Sequence, residues 1–158
     1  MELSASALSR LAYQHLSISE LISEIDDARL HLHPQPGKWS IHDNIAHLAR
    51  YNIIFQDRIR TILQEDAPEF SRYIAEDDEA FPSWQKKNTN ALIDSIALER
   101  KRISTMAASL LSDQLLRIGV HPRFEKLSVT SWLEFFLLHE AHHIFTIFQL
   151  KNDRSLIS

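Results

Sequence analysis

Residues 133–150 read LEFFLLHEAHHIFTIFQL and form the most apolar stretch of the chain. Apolar side chains occupy almost every position around a helix of this length, so the pattern predicts a helix that is buried against its neighbours. The length would suit a membrane span, but Glu134, Glu140 and three histidines make insertion into a bilayer too costly. We therefore expect the most buried helix of a protein that does not insert into membranes, running from an N-cap at Ser128 to about Asn152.

Helical periodicity predicts three further long helices upstream of this segment. They cover residues 4–25, 41–65 and 83–111. Prolines and a glycine gather at residues 32–39 and end the first helix, whereas residues 66–81 form a long crossover connection. Ser40 is placed as the N-cap of the second helix, and Asp43 completes a pattern close to a capping box. The sequence predicts an all-α four-helix bundle that residues 1–158 form as a single domain.

Composition excludes several functional classes. The chain has 158 residues but only two glycines, Gly37 and Gly119, which excludes glycine-rich phosphate and nucleotide loops. It has no cysteine, which excludes disulfides, thiolate metal sites and a cysteine nucleophile. The net charge of −4 gives no general attraction to nucleic acid or to anionic membranes. Because the first ten residues lack the apolar stretch of a secretory signal, we expect a cytoplasmic protein.

Three histidines interrupt the apolar C-terminal helix. His139 and His143 are four residues apart, hence about 40° apart around the helix, so both imidazoles can reach one metal ion. His142 lies on the other flank of His139 and is less well placed. A histidine on an apolar helix is also compatible with a core residue that is hydrogen bonded to a carbonyl or carboxylate. The spacing alone does not choose between a metal site and a packed core.

A metal site needs a third ligand from elsewhere in the chain. The remaining histidines are His15, His31, His33, His42, His47 and His121. His47 is the best candidate because it lies on the second predicted helix, at the edge of its apolar face. His42 falls in the first turn of that helix, which we expect to be exposed. Three neutral imidazoles with open coordination positions suit zinc, nickel or iron(II) and leave room for water or substrate.

Residues 139–143 also spell HEAHH and match the H-E-x-x-H signature of zinc metalloproteases, in which the glutamate is the general base. No histidine or glutamate follows His143 to act as the downstream third ligand. Glu140 projects about 100° away from His139, which favours a surface position or a hydrogen bond to another helix. The sequence leaves the roles of Glu140 and His142 open.

Five short motifs occur in a specific order along most of the chain. They are PGKWSI (36–41), AHL (46–48), EDAP (65–68), GVHPRF (119–124) and LLHEAHH (137–143). In this order and spacing the chain resembles the DinB/YfiT-like metal-dependent proteins, and among them those with a DinB-like domain. Two positions depart from the pattern. Glu125 stands where glycine is frequent, and residues 145–148 are more apolar than in many members, which affects the pocket edge or a subunit contact.

The resemblance implies an up-down-down-up four-helix bundle with a long crossover. It also implies a metal triad of one histidine on the second helix and an H-x-x-x-H pair on the last, which here are His47, His139 and His143. The cofactor is then a divalent transition metal, zinc or nickel first, with iron or manganese as further candidates. Neither departure falls on this triad.

Relatives in this family include thiol-dependent S-transferases and a maleylpyruvate isomerase, which use low-molecular-weight thiols, and many members with no assigned reaction. We expect an enzyme that acts on a small-molecule substrate, either as an S-transferase with a low-molecular-weight thiol or as a hydrolase with activated water. The alternative is a non-catalytic metal-binding or stress-response protein.

Two packing expectations follow from the apolar pattern. Trp132, Phe135 and Phe136 should be largely buried, and Trp39 should pack just before the second helix. The first and last helices carry more apolar surface than a bundle of this size needs, so a homodimer is expected. Family resemblance favours a dimer only by analogy.

Overall fold

The computed structural model describes residues 2–156, most of which are helical. The helices are α1 (Ala5–Tyr13), α2 (Leu16–Ile22), α3 (Asp27–Leu30), α4 (Ile41–Gln64), α5 (Phe81–Gln85), α6 (Thr89–Ser109), α7 (Ser112–Leu115) and α8 (Val129–Asn152). Two strands, β1 (Ile118–His121) and β2 (Glu125–Ser128), lie between α7 and α8, and 3-10 turns occupy Ala75–Asp77 and Arg154–Leu156. Met1, Ile157 and Ser158, which belong to the expected domain, lie outside the described residues.

Four rods make up the bundle: α1 with α2, then α4, α6 and α8. Helices α4 and α6 run in the same direction, because contacts between them advance together along both helices. His42 near the start of α4 bonds to the Thr89 hydroxyl at the start of α6, at 2.8 Å, and Gln56 further along donates to Glu99 at 2.6 Å. The long crossover between α4 and α6 is what returns the chain to the starting end.

Helix α8 runs antiparallel to α4 and parallel to α1. His143 near the end of α8 bonds to Asn44 near the start of α4, at 2.8 Å. The salt bridge from Arg10 to Glu134, at 2.7 Å, joins α1 to the first half of α8, and Gln14 contacts α8 further along. The rods therefore run up, down, down and up, which confirms the predicted four-helix bundle.

Both predicted N-caps are present. The Ser40 hydroxyl accepts from the Asp43 amide at 3.1 Å, while the Asp43 carboxylate accepts from the Ser40 amide at 3.0 Å, which completes the capping box of α4. The Ser128 hydroxyl accepts from the Ser131 amide at 3.2 Å at the start of α8. These caps satisfy amides that have no partner inside the helix, so both long helices begin where the sequence places them.

Two of the predicted helices are interrupted. The first breaks after α1, where the side chain of Gln14 leaves its own helix to donate to the Leu137 carbonyl and to Glu140 of α8, both at 2.9 Å. The third breaks into α5 and α6, and the Asn88 side chain caps the new start by accepting from the Asn90 amide at 2.8 Å. Neither break belongs to the predicted helices, although residues 85–90 (QKKNTN) at the second break contain no apolar side chain.

A short antiparallel hairpin was not predicted. It pairs Ile118 with Ser128 and His121 with Glu125, and Glu125 at its turn has φ +57°. The crossover joins β1, since Val120 donates to the Pro68 carbonyl at 2.8 Å and its own carbonyl accepts from Phe70 at 3.1 Å. The strands have only four residues each, which is too short for an alternating pattern of apolar and polar residues to be recognised.

Close packing beneath the hairpin explains one of the two glycines. A Cβ atom on Gly119 would lie 2.6 Å from the Ile62 side chain, and the Gly119 carbonyl accepts from the Trp132 indole at 3.2 Å. The hairpin can therefore lie directly on α4 and α8.

Helix α4, rather than α8, is the most buried helix, so the expectation for α8 was wrong. Residues 41–49 of α4 are all buried because that helix packs against both α6 and α8. Helix α8 instead exposes Leu138, Phe145 and Phe148 at 58%, 57% and 48%. Within residues 2–156, no helix combines the length and apolarity that a membrane crossing requires.

The expected aromatic core is largely present. Trp132 and Phe136 are fully buried, whereas Phe135 is half-buried. Trp39 is half-buried just before α4, where its ring lies 5.6 Å from that of Phe81. The half-buried position of Phe135 matters because this side chain forms part of a cavity wall.

Arg100 of α6 is buried, although the basic residues Lys101 and Arg102 that follow it are exposed. Its guanidinium is buried, forms a salt bridge with Glu140 of α8, and lies 4.6 Å from the centre of the Phe136 ring. Gln14, the C-cap residue of α1, donates to the same carboxylate. The end of α1 is thereby joined with α6 and α8 at one buried charge pair.

One carboxylate fixes the crossover to α4. Asp78 accepts from Arg50 at 2.7 Å, from the Tyr73 hydroxyl at 3.1 Å and from the Ala80 amide at 3.0 Å. The Arg50 guanidinium is the main cause that holds the pKa of Asp78 below its usual value. This clamp also fixes Tyr73, whose ring lies 5.7 Å from that of His47.

Replacement Asp78→Asn should lower the free energy of unfolding by about 2 kcal/mol at pH 7, because charge-assisted hydrogen bonds are lost. The pKa of Asp78 is lower in the folded protein than in the unfolded chain. Ionised Asp78 therefore stabilises the folded protein at pH values above the unfolded-state pKa, and this stabilisation is lost as the pH falls through the folded-state pKa. Urea unfolding measures the free energy of unfolding of both proteins at pH 7 and at pH 3. The difference between Asp78→Asn and the unchanged protein should be smaller at pH 3. The control Asp57→Asn removes an exposed pair with Arg60 and should cost little at either pH. An equal loss from Asp78→Asn at both pH values would contradict the clamp.

Candidate metal centre

The antiparallel packing of α4 and α8 brings the three expected histidines together. One ring nitrogen from each of His47, His139 and His143 lies within 4.8 Å of the others. The Nε2 atoms of His47 and His139 are 3.1 Å apart. Among residues 2–156 this is the only group of three or more histidine, cysteine or acidic side chains close enough to hold one ion.

Asn44 fixes the tautomer of His143. The Asn44 amide nitrogen donates to the Ser40 carbonyl at 2.8 Å, so its oxygen faces the Nδ1 of His143, also at 2.8 Å. An amide oxygen can only accept, so Nδ1 carries the proton and Nε2 keeps a free lone pair. Hydrogen bonding of this kind orients histidine ligands in metal proteins. The corresponding Nδ1 atoms of His47 and His139 are buried without a partner among the described residues.

Burial keeps the three imidazoles neutral. It lowers the pKa of His47 to about 4, and together with the neighbouring His47 and His142 it lowers the pKa of His143 to about 3. The pKa of His139 is also well below its ordinary value, first because of burial and then because of the other histidines. Neutral imidazoles have the lone pairs that bind a transition metal. Two Nε2 atoms only 3.1 Å apart need either a shared proton or a cation between them, so this donor set fits a divalent metal.

Aromatic side chains enclose the cluster. The Trp39 ring lies 5.0 Å from that of His47 and 6.0 Å from that of His143. The Tyr51 ring lies 4.3 Å from that of His139. This shell excludes water from one side of the histidines, which is the physical cause of their lowered pKa values.

Other histidines do not join the cluster. His42 is buried rather than exposed, and both its ring nitrogens are used, by the Thr89 hydroxyl and by the Gln85 carbonyl, each at 2.8 Å. His142 is exposed beside His143, with ring centres 5.3 Å apart. The structure thus separates the flanking His142 from the three that converge.

Glu140 points away from the histidine cluster, towards Arg100 and Gln14. Its carboxylate is fully buried and bonds to Arg100 and to Gln14. It therefore makes the helix-to-helix contact that its angular position favoured, and it is not placed as the base of a metalloprotease.

A cavity of about 790 Å³ opens beside the cluster. Its wall contains His47, Tyr51, Arg58, Arg72, Tyr73, His121, Pro122, Arg123, Phe124, Phe135, Leu138, His139 and His142. These residues come from α4, the crossover, the hairpin and α8. The volume lies within the range of about 300–1,000 Å³ that is typical of small-molecule sites.

Sequence reasoning missed most of this wall. Arg58 could have been found, because it follows His47 by eleven residues and therefore lies only about 20° away around α4. Arg72 and Arg123 carry no such signal, since they lie on the crossover and the hairpin turn, whose positions depend on tertiary contacts. His121 was considered only as a metal ligand, whereas it lies on the cavity wall away from the cluster of three.

Comparison with known proteins agrees with this architecture. The family model of the DinB superfamily matches residues 14–147. The chain belongs to the DinB superfamily. A relative from Bacillus subtilis (strain 168), the uncharacterized protein YuaE, is 22% identical over 139 residues, which cover 80% of this DinB chain and 86% of YuaE.

Two solved structures share the fold. YfiT from Bacillus subtilis, described as a probable metal-dependent hydrolase with an unusual four-helix bundle topology, superposes with a TM-score of 0.82 at 18% identity, over 95% of this chain and 86% of YfiT. The four-helix bundle protein TT2238 gives a TM-score of 0.61 at 22% identity, over 90% of this chain and 95% of TT2238. At these identities the likeness concerns the fold alone.

Replacement His143→Ala should weaken zinc binding by more than about 100-fold, because only two imidazoles remain. The bundle should stay folded, since His143 is only half-buried at the edge of the core. Isothermal titration with zinc measures the affinity, and circular dichroism reports the helix content. The matched control His142→Ala removes the exposed neighbouring histidine and should change the affinity less than about threefold. Zinc binding by His143→Ala at the strength of the unchanged protein would exclude the three-histidine centre.

Proposed function

We propose that this DinB-superfamily protein is a metal-dependent enzyme that hydrolyses a small molecule. His47, His139 and His143 would hold one divalent transition metal, with zinc or nickel preferred and iron or manganese as further candidates. The observation that carries the proposal is the convergence of three neutral imidazoles beside a cavity of about 790 Å³, whose wall includes His47 and His139. YfiT, which shares the fold, is described as a probable metal-dependent hydrolase, and this supports the proposal by analogy.

The side chains around the cluster have separable roles in this proposal. Three protein ligands leave coordination positions for water and substrate. A bound divalent ion supplies Lewis acidity, which lowers the pKa of a coordinated water or thiol. Asn44 holds His143 in the tautomer that presents Nε2. Trp39, which does not line the cavity, covers His47 and His143 from bulk water, whereas Tyr51 packs against His139 in the cavity wall.

A thiol-dependent S-transferase is the second candidate. The chain has no cysteine, so any sulfur nucleophile must come from an external low-molecular-weight thiol. The cavity volume of about 790 Å³ leaves room for a thiol together with an electrophile. Both candidates use the same metal centre and differ in whether water or a thiol is the nucleophile.

Metal analysis of protein purified without an affinity tag is the first test, and about one divalent metal per chain is expected. The metal-loaded protein should then hydrolyse members of a panel of 4-nitrophenyl carboxylic and phosphoric esters without any thiol. His139→Ala should lower this rate at least about 100-fold, because it removes a ligand, whereas His31→Ala, which removes an exposed histidine outside the cavity wall, should leave the rate unchanged.

The remaining outcomes discriminate the alternatives. Turnover of 1-chloro-2,4-dinitrobenzene only when a low-molecular-weight thiol is present would overturn hydrolysis in favour of the S-transferase. Stoichiometric metal with neither reaction would favour a non-catalytic metal-binding or stress-response protein. A folded protein that binds no divalent metal would leave the three histidines as core residues.

We also propose that two copies of the chain pair through α8. Its exposed Phe145 and Phe148 border a groove of about 500 Å³ that also contains Leu21 and Ile144. Apolar residues grouped in this way are typical of a protein interface. A second copy would cover the surplus apolar surface that the sequence shows on the first and last helices.

Sedimentation at about 10 μM protein should give twice the mass of one chain, because a dimer with a dissociation constant of about 1 μM or below is mostly formed at this concentration. Phe145→Glu should produce monomers, because it would place a charge in the buried contact. The control Leu98→Glu changes an equally exposed apolar residue of α6 and should leave the dimer intact. A monomeric unchanged protein at this concentration would contradict the pairing.

A further inference from the structure

The cavity beside the histidine cluster differs in charge from the rest of the protein. Acidic residues outnumber lysine and arginine by 21 to 17 in the chain. Within the described residues, the cavity wall nevertheless contains three arginines, Arg58, Arg72 and Arg123, and no carboxylate. A concave surface that is lined by positive charges alone has a focused positive potential, which attracts anions.

Arg58 is held rigidly in this wall. One of its amino groups donates to the Ser71 carbonyl at 2.7 Å, and its guanidinium lies 5.5 Å from the centre of the Phe70 ring and 5.8 Å from that of Trp132. The residue is only 9% exposed, and no described carboxylate forms a salt bridge with it. A guanidinium that is removed from water and has no carboxylate partner in the chain is favourably compensated by an anionic ligand.

Arg72 and Arg123 place two further charges on the same wall. Both are exposed, and the Arg123 guanidinium lies 5.5 Å from the Phe124 ring. They come from the crossover and from the hairpin turn. The three guanidiniums therefore belong to three different segments that meet at one cavity.

His121 contributes a neutral hydrogen-bond donor. Its Nδ1 lies 3.1 Å from the Arg123 amide and 3.2 Å from the Phe124 amide. Backbone amides can only donate, so Nδ1 accepts and the ring proton lies on Nε2. The hairpin turn thus fixes one tautomer, whose Nε2–H is available to an acceptor in the cavity that His121 lines.

The rest of the wall is mainly apolar and aromatic. Phe124 and Phe135 lie next to His121, and the Phe135 ring is also 6.2 Å from that of His139. Phe135 therefore connects the arginine and His121 region with the histidine cluster. A molecule with an apolar body can extend from one region to the other along this aromatic surface.

We propose that the cavity binds a small organic anion, a carboxylate or a phosphate with an aromatic or branched apolar body. Arg58, Arg72, Arg123 and the Nε2–H of His121 bind the anionic group, and Phe135 packs against the body. This names the substrate class of the same site and so rests on the proposed function. The anionic group lies at the arginines, so the bond to be hydrolysed belongs to the part of the molecule nearer His139.

Three probes of similar shape test the charge preference: benzoate, phenylphosphonate and the neutral benzamide. Binding is measured by protein NMR on the zinc-loaded protein and on the same protein after removal of metal by a chelator. At least one anion should bind about tenfold or more tightly than benzamide in both forms, because a charge-assisted contact to arginine is lost in the amide. The two anions compared with each other distinguish a carboxylate site from a phosphate site.

Substitutions of the arginines test whether these residues cause the preference for anions over benzamide. Arg58→Gln should reduce the preference for the anion by about tenfold. The matched control Arg60→Gln removes an exposed arginine of the same helix that pairs with Asp57, and should leave the preference unchanged. Because Arg58 is largely buried, the double variant Arg72→Gln with Arg123→Gln provides a second test on exposed residues that should fold normally. It should weaken anion binding about threefold or more, and added salt should do the same.

The outcomes separate this inference from the proposed function. Equal binding of benzamide and the anions, or no binding of any probe at 20 mM, would overturn the anion site. A preference that exists only with zinc and disappears in the metal-free protein would place the anion on the metal, so the anion site would fail while the metal centre stands. A preference for the anion that is retained in a protein that binds none of zinc, nickel, iron and manganese would support the anion site and overturn the metal-dependent hydrolase.

Discussion

The antiparallel packing of α4 against α8 is the contact on which the rest of the structure depends. It brings the start of one helix to the end of the other, so that His47 meets His139 and Asn44 meets His143. Neither helix could form the cluster alone, because two histidines on one helix leave a metal with too few protein ligands. The same contact buries the imidazoles, and burial holds them in the neutral form that binds metal.

The buried polar residues of helix α8 contact two different sets of neighbouring helices. His139 and His143 face α4, whereas Glu140 faces α1 and α6, where it meets Gln14 and Arg100. A buried charge pair adds little stability compared with an apolar contact, but leaving one partner alone costs about 3–5 kcal/mol. Rotation of α8 would break this pair and also move the histidines. The pair therefore fixes the rotation of α8, and with it the geometry of the metal centre.

Segments outside the four rods complete the cavity. Asp78 ties the crossover to α4 and thereby holds Tyr73 over His47. The hairpin packs on α8 through Gly119 and places His121 on the wall. The helices thus supply the histidine cluster, while the connections supply much of the surface that a small molecule would contact.

The sequence by itself determined the helical class, the capped starts of α4 and α8, and the three histidines that come together. The class, the caps and the pair of His139 and His143 depend on local patterns: a period of 3.6 residues, a serine before each helix, and a four-residue spacing. His47 was singled out by its place at the edge of the apolar face of the second predicted helix, and its meeting with the pair depends on the packing of α4 against α8. Only the tertiary structure decided that Arg100 is buried, that α8 leaves Phe145 exposed, and that a hairpin closes the cavity. Each of these depends on which surfaces meet. A charged residue is buried when a partner such as Glu140 lies opposite, and an apolar residue is exposed when no neighbouring helix covers it.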